Sequence, residues 1–191
     1  DGLGRMDAFT MAAGIAPQTE RIRLCLGIVP VYTRPPAVIT TSAMTMTHLA
    51  PDRFVLGLGS SSHTMIEQWY GLPFEKPLQR VRETTELVRS MLSGAKTDYD
   101  GATVHSHNFR LAMAPRADVP IYLAGLRPKM LELAGEIADG VILNLVPLEL
   151  VPRMLEHIDT GAKRAGRRVE DLEVVLFLYV FATPDEAIAE Q

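Results

Sequence analysis

The chain has 191 residues, of which 47% are hydrophobic and 22% charged, and its formal net charge is −4 at pH 7. This composition predicts one globular domain with an ordinary core and disfavours nucleic-acid binding, which usually depends on a basic surface. No apolar run approaches the ~20 residues of a membrane-spanning helix, and the single cysteine, Cys25, excludes an intramolecular disulfide. A cytoplasmic protein without nucleic-acid or membrane partners is therefore expected.

Both ends of the sequence predict a piece of a longer chain. It starts without methionine, and Thr183-Pro184-Asp185-Glu186 has the N-cap, proline and acidic residue of a helix start only about two turns before the last residue. A helix that short is marginal unless more sequence supports it. We therefore expect residues 1–191 to be a single domain that is truncated at both ends.

The first predicted elements are a helix that ends near residue 15 and an apolar strand over residues 22–29. Gly27 inside this strand predicts a bulge or a close approach by another group. Cys25 in the same run is expected to be a small core residue. The loop that follows would expose Tyr32 at the C-terminal end of the strand.

A Gly/Ser turn after the next strand is the first candidate ligand site. Residues 54–58 are apolar throughout, as a strand covered on both faces requires, and the residues that follow are Gly59, Ser60, Ser61, Ser62 and His63. Hydroxyls and backbone N–H groups before a helix-like segment are typical of an anion site, usually for phosphate. The spacing lacks the third glycine of a dinucleotide fingerprint, so we discount that interpretation.

A second turn of the same kind follows in the other half of the chain. An amphipathic helix is expected over residues 77–92, an irregular hairpin over residues 97–114, and a buried strand over residues 119–124. The strand leads into Gly125, Leu126, Arg127, Pro128 and Lys129, and the proline opens a helix. This turn adds two cations to the free N–H groups of a helix start.

The remaining elements complete an alternating pattern. They are a strand over residues 141–145, a helix over residues 148–165 with a break near Pro152, and a last strand over residues 172–181 that would present Tyr179. Five apolar strands alternating with helices predict parallel βα units, in a doubly wound sheet or in a βα barrel. A complete barrel has eight strands and typically ~250 residues, so this chain could hold only part of one.

Other polar residues are weaker candidates. His105 and His107 lie two apart with no third metal ligand evident nearby, so we interpret them as part of a solvated hairpin. Arg53 and Asp139 precede strands and are expected to be stabilising charges at the opposite face, paired with each other. No metal site, Ser-His-Asp arrangement or carboxylate pair is predicted, and no side chain is assigned as a catalytic acid or base.

Three ordered segments carry a family resemblance. Residues 27–37 include GIVP and RPPA, residues 52–59 read DRFVLGLG, and residues 122–141 read YLAGLRPKMLELAGEIADGV. Together they resemble the bacterial luciferase-like monooxygenase family, and more closely its branch of oxidoreductases that use the deazaflavin coenzyme F420. Residues 66–83 also look like that branch, so the resemblance covers nearly the whole chain.

The resemblance implies an α/β fold, a (β/α)8 TIM barrel that is incomplete here, with these strands as the third to seventh. It places the cofactor phosphate between the two turns described above. On this alignment, the cofactor-binding residues are Gly59, Ser60, Ser61, Ser62, His63, Gly125, Leu126, Arg127, Pro128 and Lys129, with Gly27 and Ile28 behind the deazaflavin ring. In some F420-dependent relatives the matching peptide bond is cis, which here would be Gly27–Ile28.

The activity that the resemblance implies is hydride transfer between a small organic substrate and coenzyme F420. An FMN-dependent monooxygenase with a separate flavin reductase, and a non-catalytic family member, remain open alternatives. A truncated chain that does not fold stably by itself is a further one. The small-residue helix over residues 36–49 would form a homodimer surface in the full-length protein or pack within the same barrel.

Overall fold

One parallel sheet organises the part of the chain that the computed structural model describes, residues 6–178. In chain order, the strands of this part are β1 (Leu24–Cys25), β2 (Val29–Pro30), β3 (Phe54–Gly59), β4 (Asp98–Asp100), β5 (His105–His107), β6 (Ile121–Ala124), β7 (Gly140–Asn144) and β8 (Glu173–Phe177). β4 and β5 form a separate antiparallel hairpin. The other six strands pair in parallel: β1 and β2 both pair with β3, and then β6, β7 and β8 follow as successive neighbours.

Helices connect these strands. They are α1 (Ala8–Ile15), α2 (Pro36–Leu49), α3 (Pro77–Leu92), α4 (Pro128–Ile137) and α5 (Val151–Arg164), with a six-residue π-helix, Thr64–Trp69, after β3. Four of the five α-helices within residues 6–178 have proline at their first or second position, where its fixed φ suits the helix and its missing N–H is not needed. The expected break at Pro152 is wrong for this reason, because that proline lies at the start of α5.

The order of the strands decides between the two architectures that the sequence allowed. A doubly wound sheet reverses its strand order at a switch point, whereas β3, β6, β7 and β8 lie side by side here in the order in which they follow along the chain. Successive addition with intervening helices is the arrangement of a TIM barrel. The fold is therefore α/β, and its sheet forms a half-barrel of that type.

The residues of β3 alternate between two apolar clusters, as the two-residue period of a strand requires. Leu56 and Leu58 belong to the main core, together with buried residues of the helices. Val55 belongs to a smaller cluster with Tyr122 and Ile142, on the inner face of the sheet. The strands are therefore apolar on both faces, which explains the continuous hydrophobic runs in the sequence.

Cys25 lies on that inner face and is exposed, so its interpretation as a small core residue is wrong. It is in register with Val55 on the neighbouring strand, and residues in register on parallel strands project to the same side. The continuous apolar run around Cys25 contained no signal that separates the inner face of the sheet from the main core.

The strand predicted over residues 22–29 is two short strands with a bulge between them. β1 ends at Cys25 and β2 begins at Val29, which confirms the bulge expected around Gly27. Gly57 on β3 allows the bulged segment to come close, because a Cβ atom at that position would lie 1.8 Å from the carbonyl oxygen of Leu26. Neighbouring strands thus stay packed although β1 is interrupted.

Other predicted elements compare well with the described residues. The helices expected over residues 36–49 and 77–92 are α2 and α3, with the expected ends. The last strand is described from Glu173 to Phe177, whereas Tyr179 and the helix expected from Thr183 lie outside the described residues. Within residues 6–178, no helix is both long enough and apolar enough to cross a bilayer.

Candidate cofactor-binding site

The peptide bond between Gly27 and Ile28 is cis, as the resemblance led us to expect. It lies in the bulge between β1 and β2. The space beside Gly27 is open, since a Cβ atom there would meet nothing within 4 Å. Ile28 packs beside the end of β3, because a Cβ atom at Gly59 would lie 3.2 Å from its Cδ1 atom and 3.4 Å from the Cβ atom of Ala124. The bulge and the ends of β3 and β6 are therefore close neighbours.

The turn after β3 has backbone donors without acceptors. Within the described residues, the N–H groups of Ser60, Ser61 and Ser62 make no hydrogen bond. Ser61 has a φ of 62°, in the left-handed region that non-glycine residues seldom adopt. A left-handed residue inside a turn makes successive N–H groups point into one concavity, which is the geometry of an anion site.

The turn after β6 repeats this arrangement on the neighbouring strand. Gly125 donates its N–H to the carbonyl oxygen of Ile142, at 3.3 Å, and α4 begins three residues later at Pro128. In residues 6–178, no acceptor contacts the N–H groups of Leu126, Arg127 and Lys129. The exposed cations of this turn and the positive end of the α4 dipole all favour a bound anion.

His63 follows the first turn and is exposed. Its Nε2 atom lies 2.9 Å from a carboxylate oxygen of Glu67, and its ring stands edge-on to Phe74 with 6.1 Å between ring centroids. These contacts orient the imidazole beside the turn. The sequence predicted His63 at this site but neither of its partners. Glu67, four residues later, could have been predicted from helical spacing, whereas nothing in the sequence indicates Phe74.

Tyr32 is buried, so the prediction that it is exposed is wrong. Its hydroxyl donates to the carbonyl oxygen of Glu75 at 2.6 Å, and the guanidinium carbon of Arg80 lies 4.7 Å from the centre of its ring. Burial raises the pKa of Tyr32, although the Arg80 charge opposes that change. The partners come from more than forty residues further along the chain, so no local pattern could have identified them.

The opposite end of the sheet contains paired charges. The expected pair of Arg53 with Asp139 is wrong, although both residues are stabilising charges as predicted. Arg53 donates to the carbonyl oxygens of Ile22 and Ala16 and to the hydroxyl of Thr19. Asp139 pairs with Arg89 at 2.9 Å and accepts a hydrogen bond from the backbone N–H of Ile121 at 2.8 Å.

A three-residue network lies at the same end, inside the half-barrel. Arg23 donates to Glu173 at 3.0 Å and to the hydroxyl of Tyr122 at 3.1 Å, and that hydroxyl donates to Glu173. Burial and the bond to Glu173 raise the pKa of Tyr122 to about 12. The bonds from Arg23 and Tyr122 lower the pKa of Glu173. Sequence reasoning did not single out any of these residues.

A cleft of about 840 Å³ also lies at this end, between the last turn of α3 and residues 115–120, which lead into β6. Its lining includes Asp52, Arg89, Arg116, Asp118 and Asp139. In TIM barrels the chemistry takes place at the carboxyl ends of the strands, and this end carries stability. We therefore place the candidate site at the two turns and the cis bond, not in this cleft.

The hairpin histidines are exposed, which agrees with a solvated hairpin. His107 lies 2.8 Å from a carboxylate oxygen of Asp98 and 3.2 Å from one of Asp100, and Asp98 in particular raises its pKa. His105 lies on the same face two residues away. Among the described residues, no group of three or more histidine, cysteine and acidic side chains is arranged to hold a metal ion.

Two proteins of known activity are similar to this chain in sequence. The chain is 30% identical over 190 residues to a 5,10-methylenetetrahydromethanopterin reductase of Methanolobus tindarius, and the alignment covers 100% of this chain and 58% of the relative. It is 29% identical over 189 residues to an F420-dependent glucose-6-phosphate dehydrogenase of Tsukamurella paurometabola, covering 93% of this chain and 55% of the relative. The chain thus spans a little over half the length of these relatives.

The solved structures agree. The coenzyme F420-dependent tetrahydromethanopterin reductase from Methanopyrus kandleri superposes with a TM-score of 0.85 and 27% identity, over 93% of this chain and 55% of that one. The sequence profile of the family described as luciferase-like monooxygenase matches residues 1–191. Three ordered motifs, a parallel half-barrel and a cis bond at the expected position agree with that match, and the chain belongs to the luciferase-like monooxygenase family.

Proposed function

We propose that this chain binds coenzyme F420 and belongs to an oxidoreductase that transfers a hydride between the cofactor and a small organic substrate. One observation carries the proposal: two turns with free backbone donors lie at the carboxyl ends of the neighbouring strands β3 and β6, next to the open bulge at Gly27. The relatives named for F420 add support, since this chain is similar to them along nearly its whole length.

The residues present fit such a cofactor. The cofactor phosphate would accept hydrogen bonds from the N–H groups of Ser60, Ser61 and Ser62 and from those of Leu126, Arg127 and Lys129. The two cationic side chains would neutralise its charge, and His63 would border the same site. The open space at Gly27 would receive the ring, with Ile28 behind it.

The deazaflavin supplies the hydride chemistry when it is bound. The contribution of this chain is then to bind the phosphate, orient the ring and keep water from one side of it. FMN is the second candidate, because it also joins a phosphate to a planar ring system, and it would make the protein a monooxygenase with a separate flavin reductase.

Three further proposals concern the whole protein. One domain over residues 1–191 is supported by the single parallel sheet that six of the eight described strands form and by the main core that packs against it. We also propose a homodimer through α2, because the exposed face of this helix carries the small side chains of Thr41 and Thr45 beside the apolar Val38. A cytoplasmic location is supported by the single cysteine of the chain.

Titration of the purified chain with F420 and with FMN tests the proposal, with the quenching of cofactor fluorescence as the signal. We expect saturable binding of F420 and at least about tenfold weaker binding of FMN, a difference of about 1.4 kcal/mol. Binding of FMN without F420 would reverse the choice of cofactor. A chain that folds but binds neither would be a non-catalytic member of the family.

A further inference from the structure

Arg80, on the first turn of α3, contacts two segments that are distant in the sequence. Its Nε atom donates to the carbonyl oxygen of Val31 at 3.3 Å, and its Nη1 atom donates to the carbonyl oxygen of Thr103 at 3.0 Å. Its guanidinium group also lies over the ring of Tyr32. One side chain therefore connects the loop after β2 with the turn of the β4–β5 hairpin.

The hairpin turn is itself fixed by a buried carboxylate. Glu83, one turn further along α3, is only 3% exposed and accepts hydrogen bonds from Gln79, from the backbone N–H groups of Ala102, Thr103 and Val104, and from the Thr103 hydroxyl. Burial alone would raise the pKa of Glu83, but these donors outweigh it and lower the pKa to about 2. The carbonyl oxygen that Arg80 contacts in this turn is thus held in place.

The loop after β2 follows a strand with fewer pairing partners than the strand that leads into the first candidate phosphate-binding turn. β3, which leads into the first turn, is paired with β6 on one side and with β1 and β2 on the other. In the described part of the chain, β2 pairs only with β3, and the Val31 N–H continues that pairing with a bond to Gly59. The bond from Arg80 to the Val31 carbonyl holds this segment three residues after the cis bond.

We infer that Arg80 is a positioning residue for the ring end of the cofactor site: it fixes the bulged Gly27–Ile28 segment, through Val31 and Tyr32, against the hairpin turn that Glu83 anchors. This inference rests on the proposed function for its reference to the ring. The coupling itself, between the hairpin turn and the segment after the cis bond, is independent of any ligand.

Amide hydrogen exchange of the chain without ligand tests the coupling. Arg80→Gln removes the guanidinium group, and Arg82→Gln is the matched control. Arg82 is on the same helix and is also half-buried, but its partners are Glu86 and Glu136. We expect Arg80→Gln to speed exchange at the Val31 amide at least about tenfold, since a charge-assisted bond is lost, and Arg82→Gln to leave it unchanged. Equal exchange in wild type and Arg80→Gln overturns the coupling.

Ligand binding tests the link to the ring. FMN and riboflavin share a ring and differ only in the phosphate. The deazaflavin core of F420 likewise keeps the ring but lacks the phosphate, together with the chain that the phosphate carries. We expect Arg80→Gln to weaken binding of the phosphorylated and the phosphate-free ligand by the same factor, about tenfold, because it acts at the ring. A merely structural effect would appear in Arg82→Gln as well, and that result overturns the positioning role.

The two kinds of failure are distinguishable. If the wild-type chain binds none of these ligands, the proposed function is wrong, and the exchange rate at Val31 still decides whether Arg80 couples the two segments. If wild type binds and Arg80→Gln binds equally well, the cofactor proposal stands and the positioning role is overturned. Arg80→Lys adds a rescue test, since it restores the charge without the two-sided contact, and we expect it to restore less than half of the lost binding free energy.

Discussion

At the amino-terminal end of the sheet, polar groups are paired within the protein, whereas at the carboxyl-terminal end a set of donors has no acceptor. Asp139 pairs with Arg89 and with the N–H of Ile121, and Arg23, Tyr122 and Glu173 bond to one another. At the other end of the same strands, and within residues 6–178, the donors without acceptors include the N–H groups of Ser60, Ser61, Ser62, Leu126, Arg127 and Lys129.

This difference separates stability from binding. An unpaired donor that stays accessible to water costs little in the folded state and remains available to a ligand. At the other end, loss of Asp139 or Glu173 takes the acceptor from a donor of a buried residue, the Ile121 N–H or the Tyr122 hydroxyl. Substitutions at the amino-terminal end should therefore lower stability and leave ligand affinity unchanged. Substitutions at the two turns should do the reverse, and the three predictions that follow test this contrast.

The largest effect is expected at Asp139. Asp139→Ala removes the acceptor of the buried Ile121 N–H and the partner of Arg89, so the free energy of unfolding should fall by roughly 1–3 kcal/mol. Urea denaturation measures it. Asp118→Ala, an exposed aspartate of the same cleft, is the control and should change stability by less than about 0.5 kcal/mol. Similar losses in the two variants would contradict the assigned pairing.

Alkaline pH tests the network inside the half-barrel. The pKa of Tyr122 is raised from 10.0 to about 12 in the folded chain, so the unfolded chain loses this proton first. Its contribution to stability is complete below pH 10 and is lost as the pH rises toward 12, amounting to about 2 kcal/mol by pH 11.5. Tyr122→Phe should remove this slope from denaturation measured between pH 9 and pH 11.5. Tyr70→Phe, at an exposed position, should keep it.

A smaller effect on free energy is expected at the second turn, and it should appear in binding. Lys129→Ala should weaken binding of the phosphorylated cofactor about tenfold, or 1.4 kcal/mol, because a charge near the phosphate is lost. Riboflavin, which has no phosphate, should bind this variant and wild type equally. Stability should stay within about 0.5 kcal/mol, as for Lys96→Ala, the exposed control. A loss of riboflavin binding would contradict a phosphate role for Lys129.

The fold was largely predictable because its signals are local. Proline residues predicted where α2 and α3 begin, and the apolar runs between helices predicted the strands of the parallel sheet. The residues of the two turns were chosen from Gly, Ser and helix-start chemistry alone. The cis bond at Gly27 was expected from the family resemblance, and a glycine within an apolar run would by itself have predicted only a bulge.

What the sequence could not predict depends on contacts between distant segments. Tyr32 is buried because Glu75 and Arg80 reach it from another element, and Arg53 and Asp139 each have partners other than the expected ones. For Cys25 the sequence predicts a core position, because both faces of a barrel strand are apolar and no alternation of polar residues marks the inner face. The contacts of Arg80 also join distant segments. Both of its hydrogen-bond acceptors are backbone carbonyls, which every residue has, so no residue type in the sequence indicates them.

The most direct test of the central claim is to follow backbone amide signals by NMR while the phosphorylated cofactor is added. We expect the amides of Ser60, Ser61, Ser62, Leu126, Arg127 and Lys129 to shift downfield and saturate together, as donors that gain a phosphate acceptor do. The amides of Ile121 and Glu173, at the other end of the sheet, should stay unchanged. Saturable shifts confined to Ile121, Glu173 and the cleft beside Arg89 would contradict the account.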